Sequence, residues 1–537
     1  MQINELTTIS CLAAFSKQVR GTSFSLLLIA SMALSSCRTL SHSPGNVEDD
    51  RRITINYLLV NDVYEIAPLA GGTAGGMARV ATLKKEYLLS NPNTYLVMAG
   101  DFLSPSIYNS LQHEGKRIRG KQMVEAMNES GMDFAVFGNH EFDIPEADLL
   151  NRINESNFRW IASNTFHKND TAVIPFAKKT SSGELPFPKT YIQSVKDADG
   201  TTAKIGFIGL TLPFNKAGYV SYSDPLNTAV KLYDQLKDSC DAVIAITHQL
   251  MEDDILLAQR LPGLAMILGG HEHDMRFQKV GNVFIVKAHA NAKSAYAMKL
   301  DFNSKRRKLK VKPELKMIDT TLSADPATAA VVENWTQIAD QNYASLGFDS
   351  KKIVLKTGEA LDGRESQIRK QPTNMSRMVV RGMEYASPSA ELAILNAGSI
   401  RVDDILPMPV TEYDILRALP FGGGITEVDM KGSLLIKTLA AGLKNTGNGG
   451  FLHYSDGLTY HAASNGWSLK GAPLTPEKTY RVALPDFLLS GGEANMDFLK
   501  SDNPDIVKLY PYVADPSDTR SDIRLAVVKY LYNQNEK

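Results

Sequence analysis

A chain of 537 residues exceeds what one hydrophobic core can hold and points to roughly two to four domains. Apolar residues make up 43% and charged residues 22%, which excludes a disordered or fibrous polymer and fits an ordinary globular protein. The formal net charge of −1 argues against a nucleic-acid polymer as partner, so function has to be read from local constellations.

Residues 1–36 read as an export signal. Lys17 and Arg20 supply a positive flank, Phe24 to Leu34 form a short and mostly apolar core, and Leu34-Ser35-Ser36-Cys37 follows. That run falls short of the roughly 20 residues a bilayer span needs. The Leu-Ser-Ser-Cys ending resembles the bacterial lipobox, which implies acylation of Cys37 and anchorage to a membrane of the cell envelope. Arg38 rather than aspartate after the cysteine favours the outer membrane. A plain cleaved signal, or a buried helix with an incidental cysteine, is the competing reading. With Cys37 acylated and Cys11 removed, Cys240 is the only other cysteine of the three, and no intrachain disulfide can form. Residues 37–52 are polar, with a Pro-Gly pair and several charges, and read as a tether.

From Ile53 to about residue 320, short apolar runs alternate with longer amphipathic stretches, the pattern of an α/β domain. Five of these runs end in metal-type ligands. Tyr57-Leu58-Leu59-Val60 leads into Asn61-Asp62, and Tyr95-Leu96-Val97-Met98 into Gly100-Asp101. Phe134-Ala135-Val136-Phe137 leads into Gly138-Asn139-His140. Ala242 to Ile246 leads into Thr247-His248, and Leu264 to Leu268 into Gly269-Gly270-His271-Glu272-His273. Buried strands read as continuous apolar runs, and ligand sites in such folds gather beyond one edge of the sheet. Asp, Asn and His together suit manganese, zinc or iron rather than thiolate chemistry. A pair of such ions can clamp both the attacking and the leaving oxygen of a phosphoryl displacement. An isolated histidine or Gly-Asp is more often structural; the series carries the inference.

Residues 321–346 are predicted to be a connecting helix, because Ala330, Val331, Trp335 and Ile338 recur at helical spacing. A second unit covers 347–537.

At the strand-end residues the sequence resembles the two-domain 5′-nucleotidase family, including Gly75-Gly76-Met77-Ala78-Arg79 between the first two ligand runs. The resemblance implies a calcineurin-like metallophosphoesterase β-sandwich flanked by helices over 53–320, followed by a separate α/β C-terminal domain. It implies that Asp101 bridges two divalent ions. Asn139, His248 and His271 would complete one site, and Asp62 and His273 would serve the other. His140 and Asp143, within Asn-His-Glu-Phe-Asp, match the family's catalytic pair; a helix N-cap is the competing role for Asp143. Two positions depart from the pattern. Tyr64 stands where the family has histidine, so it either ligates a metal, iron above all, or packs beside a weaker site. His273 stands where several relatives have glutamine.

In the second unit, Asn396-Ala397-Gly398-Ser399-Ile400-Arg401 resembles the family's glycine-rich Ile-Arg loop. Leu419 to Gly423 and Asp486 to Glu493 resemble its two aromatic loops. The resemblance implies that Phe421 and Phe487 sandwich a planar base and that Glu493, in place of aspartate, takes ribose hydroxyls. Arg369 and Arg401 would grip phosphate or carboxylate. Relatives carry an arginine four residues before Arg369, where this chain has Glu365; Arg364 is one residue further off. The expected activity is hydrolysis of nucleoside 5′-monophosphates, with domain closure about residues 321–346. A UDP-sugar or cyclic-nucleotide diesterase, a sugar-phosphate phosphatase, and a binding lipoprotein without catalysis are the alternatives.

Overall fold

The computed structural model describes residues 49–535; the expected signal segment, Cys37 and most of the expected tether lie outside them. The five ligand-bearing runs form strands β1 (Arg52–Val60), β2 (Thr94–Ala99), β3 (Phe134–Val136), β4 (Ala242–His248) and β5 (Met266–Gly270). The first strand thus begins one residue inside the stretch read as tether. β1, β2 and β3 are parallel neighbours in one six-stranded sheet, and β4 and β5 are parallel neighbours in another.

The apolar runs are continuous because both faces of each strand are covered. β1 sends Ile53, Ile55, Tyr57 and Leu59 into the core between the sheets, and Leu58 and Val60 outward under helices. In β4, Ile244 and Ile246 enter the same inter-sheet core, while Val243 and Ala245 face the opposite helical layer. Helices Met77–Ser90 and Lys121–Glu129 cover the first sheet, and Pro225–Leu236 and Met251–Arg260 the second. The result is a β-sandwich flanked by helices, as expected.

Helix α1 (Pro326–Ser345) follows. Asp325 caps it by accepting from the Thr328 amide, and Pro326 occupies the first turn, where its missing N–H costs nothing. Its Trp335 is buried and donates to Glu125 at 2.8 Å, fastening the helix to the first domain. The second domain is built on a five-stranded sheet in the order Leu452–Tyr454, Leu392–Asn396, Thr479–Pro485, Ile425–Lys431 and Ile506–Tyr510. Helices Asn374–Ala386 and Ile523–Asn535 pack on one face and Gly432–Lys444 on the other. It is a separate α/β domain.

Candidate active site

Parallel pairing sets the ends of β1, β2 and β3 at one edge of their sheet, and β4 and β5 end side by side in the other. The two edges meet at Gly270, where any side chain would strike the Ala99 carbonyl at the end of β2. Asp62, Asp101 and His271 all adopt left-handed backbone, with φ of 52°, 53° and 88°. Non-glycine residues are uncommon there, and such strain persists only where surrounding structure enforces it. The enforcement is visible. Glu141 accepts from the amides of Asp101, Phe102 and Leu103 at 3.0, 2.7 and 3.1 Å. A side chain at Gly138 would collide with the Asp101 carboxylate, so glycine is required where β3 delivers Asn139.

Asp62 and Asp101 are buried, and imidazoles surround them. His248 donates its Nδ1–H to the Ala99 carbonyl at 2.7 Å, which turns Nε2 inward. That nitrogen lies 3.0 Å from Asp101 Oδ2 and 3.9 Å from Asp62 Oδ1, yet at an angle that leaves it without a hydrogen-bond partner among the described residues. The His271 amide donates to Asp62 Oδ2 at 2.9 Å, and its Nδ1 lies 3.2 Å from Asn139 Oδ1. Ligand atoms of Asp101, His248 and His271 fall within 4.8 Å of one another. A buried imidazole nitrogen facing two buried carboxylates is a donor set that fits a cation.

Tyr64 belongs to this cluster. Its hydroxyl is 3.4 Å from both Asp62 and Asp101 and 2.9 Å from His273 Nε2, which itself lies 3.6 Å from Asp62 Oδ1. Without a metal, protons do the neutralising. Burial pulls His248 down, but Asp101 and then Asp62 lift it to about 9. Burial and the neighbouring His248 charge press His271 down to about 3. Burial, then Asp101 and Asp62, push the Tyr64 phenol well above its usual 10. Metal entry at such a cluster displaces protons.

His140 Nδ1 lies 2.6 Å from Asp143 Oδ2, and Asn215 donates to the other Asp143 oxygen at 2.7 Å. Asp143 caps no helix: the next one, Glu146–Glu155, has Pro145 at its cap and no side-chain cap bond. Glu272, within the Gly-His-x-His run, turns away from the cluster and pairs at 2.5 Å with the fully buried Lys287.

In the second domain, Asn396 ends a fully buried strand and donates to Glu493 at 2.8 Å. Phe421 and Phe487, 65% and 49% exposed, flank a cavity of about 540 Å³ also lined by Asn396, Gly398 and Glu493. Arg369 and Arg401 both pair with Glu365, the latter at 3.5 Å, whereas Arg364 pairs with Asp362. Tyr64 of the first domain and Arg401 of the second line one small cleft. Asp403, absent from the sequence reading, reaches His273 Nδ1 at 2.7 Å. Asn215 and Lys287 were missed as well, in no pattern that marks them; Glu141 lay within Asn-His-Glu-Phe-Asp with no role assigned to it.

Comparison with known proteins decides the family. The calcineurin-like phosphoesterase family model matches residues 55–275, and the model of the 5′-nucleotidase C-terminal domain matches 353–501. The chain belongs to the two-domain 5′-nucleotidase family. Members of this family are metallophosphoesterases, hydrolases of phosphate esters that work with metal ions, and the chain is one of them. Bovine (Bos taurus) 5′-nucleotidase is 25% identical over 478 residues, 79% of each chain. Protein UshA of Escherichia coli is 25% identical over 530 residues, 87% of this chain and 90% of that one. In fold, a 5′-nucleotidase precursor from Thermus thermophilus superposes at a TM-score of 0.65 with 22% identity, covering 90% of this chain and 97% of that one.

Proposed function

We propose that the chain hydrolyses nucleoside 5′-monophosphates at a dinuclear metal centre, with the base and ribose held by the C-terminal domain. The observation that carries this reading is the exposed pair Phe421 and Phe487 flanking a cavity whose polar rim, Asn396 and Glu493, belongs to the domain that also bears Arg401 in the cleft shared with Tyr64. Two exposed aromatic side chains lining one cavity are placed to take a planar ligand.

Asp101, Asn139, His248 and His271 would hold one divalent ion, and Asp62, Asp101, His273 and Tyr64 the other. Manganese or zinc suits the first set, and the phenol of Tyr64 admits iron at the second. When bound, the ions supply Lewis acidity at phosphorus. His140, oriented by Asp143, would stabilise the phosphoryl charge or protonate the leaving oxygen. Arg369 and Arg401 would hold the substrate anion, and the hinge for closure would lie in residues 321–346.

The test is phosphate release from AMP, UMP, UDP-glucose, a cyclic nucleotide and a sugar phosphate, with manganese, zinc or iron supplied. AMP or UMP should lead. Phe421→Ala and Phe487→Ala should each raise KM for nucleotide by about 5- to 150-fold, from roughly 1–3 kcal/mol per stacked base. Turnover of a ring-free phosphate ester should not change. Insensitivity of nucleotide turnover to both changes would reject the base-stacking role, and no turnover with any metal would leave only a binding protein.

One observation favours a second reading. Glu365 offsets one of the two arginine charges, and a subsite with net charge near +1 suits the single charge of a phosphodiester. The cyclic nucleotide, whose phosphodiester carries one charge, would then lead the panel.

The Tyr64 geometry supports ligation over mere packing. Iron-loaded protein should show a visible charge-transfer band that Tyr64→Phe abolishes; a colourless iron-loaded protein would reject ligation.

A further inference from the structure

His248 and His271 take their orientation from their own domain: the Ala99 carbonyl fixes the first and Asn139 meets the second. His273 does not. Its Nδ1 has one polar neighbour among the described residues, Asp403 Oδ2 at 2.7 Å, which the C-terminal domain supplies. A carboxylate only accepts, so Nδ1 must carry the hydrogen of this bond. Nε2 then faces Tyr64 at 2.9 Å and Asp62 at 3.6 Å. Asp403 is held in turn. Its other oxygen accepts from the Glu365 amide at 2.6 Å, and its backbone is left-handed, with φ of 38°.

We propose that Asp403 is a positioning residue of the metal centre, fixing His273 with Nε2 towards the ion shared with Asp62 and Tyr64, so that this ion binds at full strength only while the two domains are docked. The inference rests on the dinuclear reading above. Carboxylate partners of metal-bound imidazoles recur because they set the tautomer and ring orientation, and removing one typically weakens metal affinity about 10- to 100-fold. Here the partner sits across a domain boundary. Two further bonds span the same interface, Lys293 to Asp404 and Tyr413 to Glu65, both at 2.6 Å. Parting of the domains would break all three bonds. Closure over a substrate would therefore complete the metal site, and opening would loosen one ion while leaving the other in place.

Calorimetric titration of the metal-stripped full chain with Mn²⁺ or Zn²⁺ tests this without relying on turnover. Wild type should take two ions. Asp403→Ala should keep one at unchanged affinity and bind the other about 10- to 100-fold more weakly. Asp403→Asn, which keeps an acceptor oxygen but loses the charge, should fall between. Lys293→Ala, which loosens the interface without touching the cluster, should weaken the same ion severalfold. A merely structural role for Asp403 would instead lower thermal stability and weaken both ions together. Binding of both ions by Asp403→Ala as in wild type would overturn the proposal, and unchanged binding by Lys293→Ala would overturn its dependence on docking. Fewer than two ions in wild type would instead sink the dinuclear reading itself.

Discussion

Asp101→Asn should abolish phosphate release, with kcat reduced by at least ~10³-fold, while circular dichroism of the metal-free protein stays that of wild type. The side chain sits between His248, Tyr64 and the His140 amide. Its Oδ2 lies 3.0 Å from His248 Nε2 and 3.4 Å from the Tyr64 hydroxyl, and its Oδ1 accepts from the His140 amide at 2.8 Å. Asparagine preserves the shape and can still accept from that amide, so the loop keeps its course. What disappears is the charge that both ions would share. Folding should survive because His248, no longer facing Asp101, can release the proton that this carboxylate chiefly holds there. Metal analysis of the variant should show both sites depleted, since a bridging ligand belongs to both. Near-wild-type turnover would remove Asp101 from the chemistry.

His140→Gln should cost about 10²- to 10⁴-fold in kcat, the range for loss of a positioned acid, with the metal content unchanged. The contrast with Asp101 follows from geometry: only the backbone amide of His140 is bonded to Asp101, and its ring is turned to Asp143. Asp143 holds that ring from one oxygen while Asn215 fixes the other oxygen, so Asp143→Asn should lower kcat in the same direction by a smaller factor. A His140 variant that loses metal would assign this residue to the metal sites instead.

The candidate site was legible in the chain to the extent that its residues follow strands. Asp62, Asp101, Asn139, His248 and His271 each come directly after an apolar run, so a two-sided burial pattern and a polar ending announce both the strand and its edge. His140 and Asp143 were legible only through the resemblance of Asn-His-Glu-Phe-Asp to the family's motif; the structure puts both on one short helical turn. The α/β character followed from the same runs and the sandwich from the family resemblance; in the structure, alternate residues of each strand fill two apolar layers. The helix predicted over 321–346 appears as Pro326–Ser345; Asp325 and Pro326 mark its start, since a capping side chain precedes a residue without an N–H. Asp403 was not legible. It follows Arg401 by two positions in a loop, and only the packing of two domains brings it to a histidine 130 positions earlier. Glu141 was in view as part of a motif, but its task of gathering three backbone amides depends on where β2 ends relative to β3. Lys287 looks like any strand lysine until the fold closes Glu272 over it at 2.5 Å. Residues that position others carry no local signature, because their partners are fixed by topology rather than by spacing.

In the proposed dinuclear centre, side chains from five strand ends would hold two cations side by side, with one cross-domain carboxylate orienting a ligand. Crystals of the metal-loaded protein, measured on both sides of the metal absorption edge, test it most directly. Two anomalous peaks about 3.5–4 Å apart are expected, with Asp101 between them, His248 and His271 at one and Tyr64 and His273 at the other. A single peak, or peaks away from Asp101, would contradict the account.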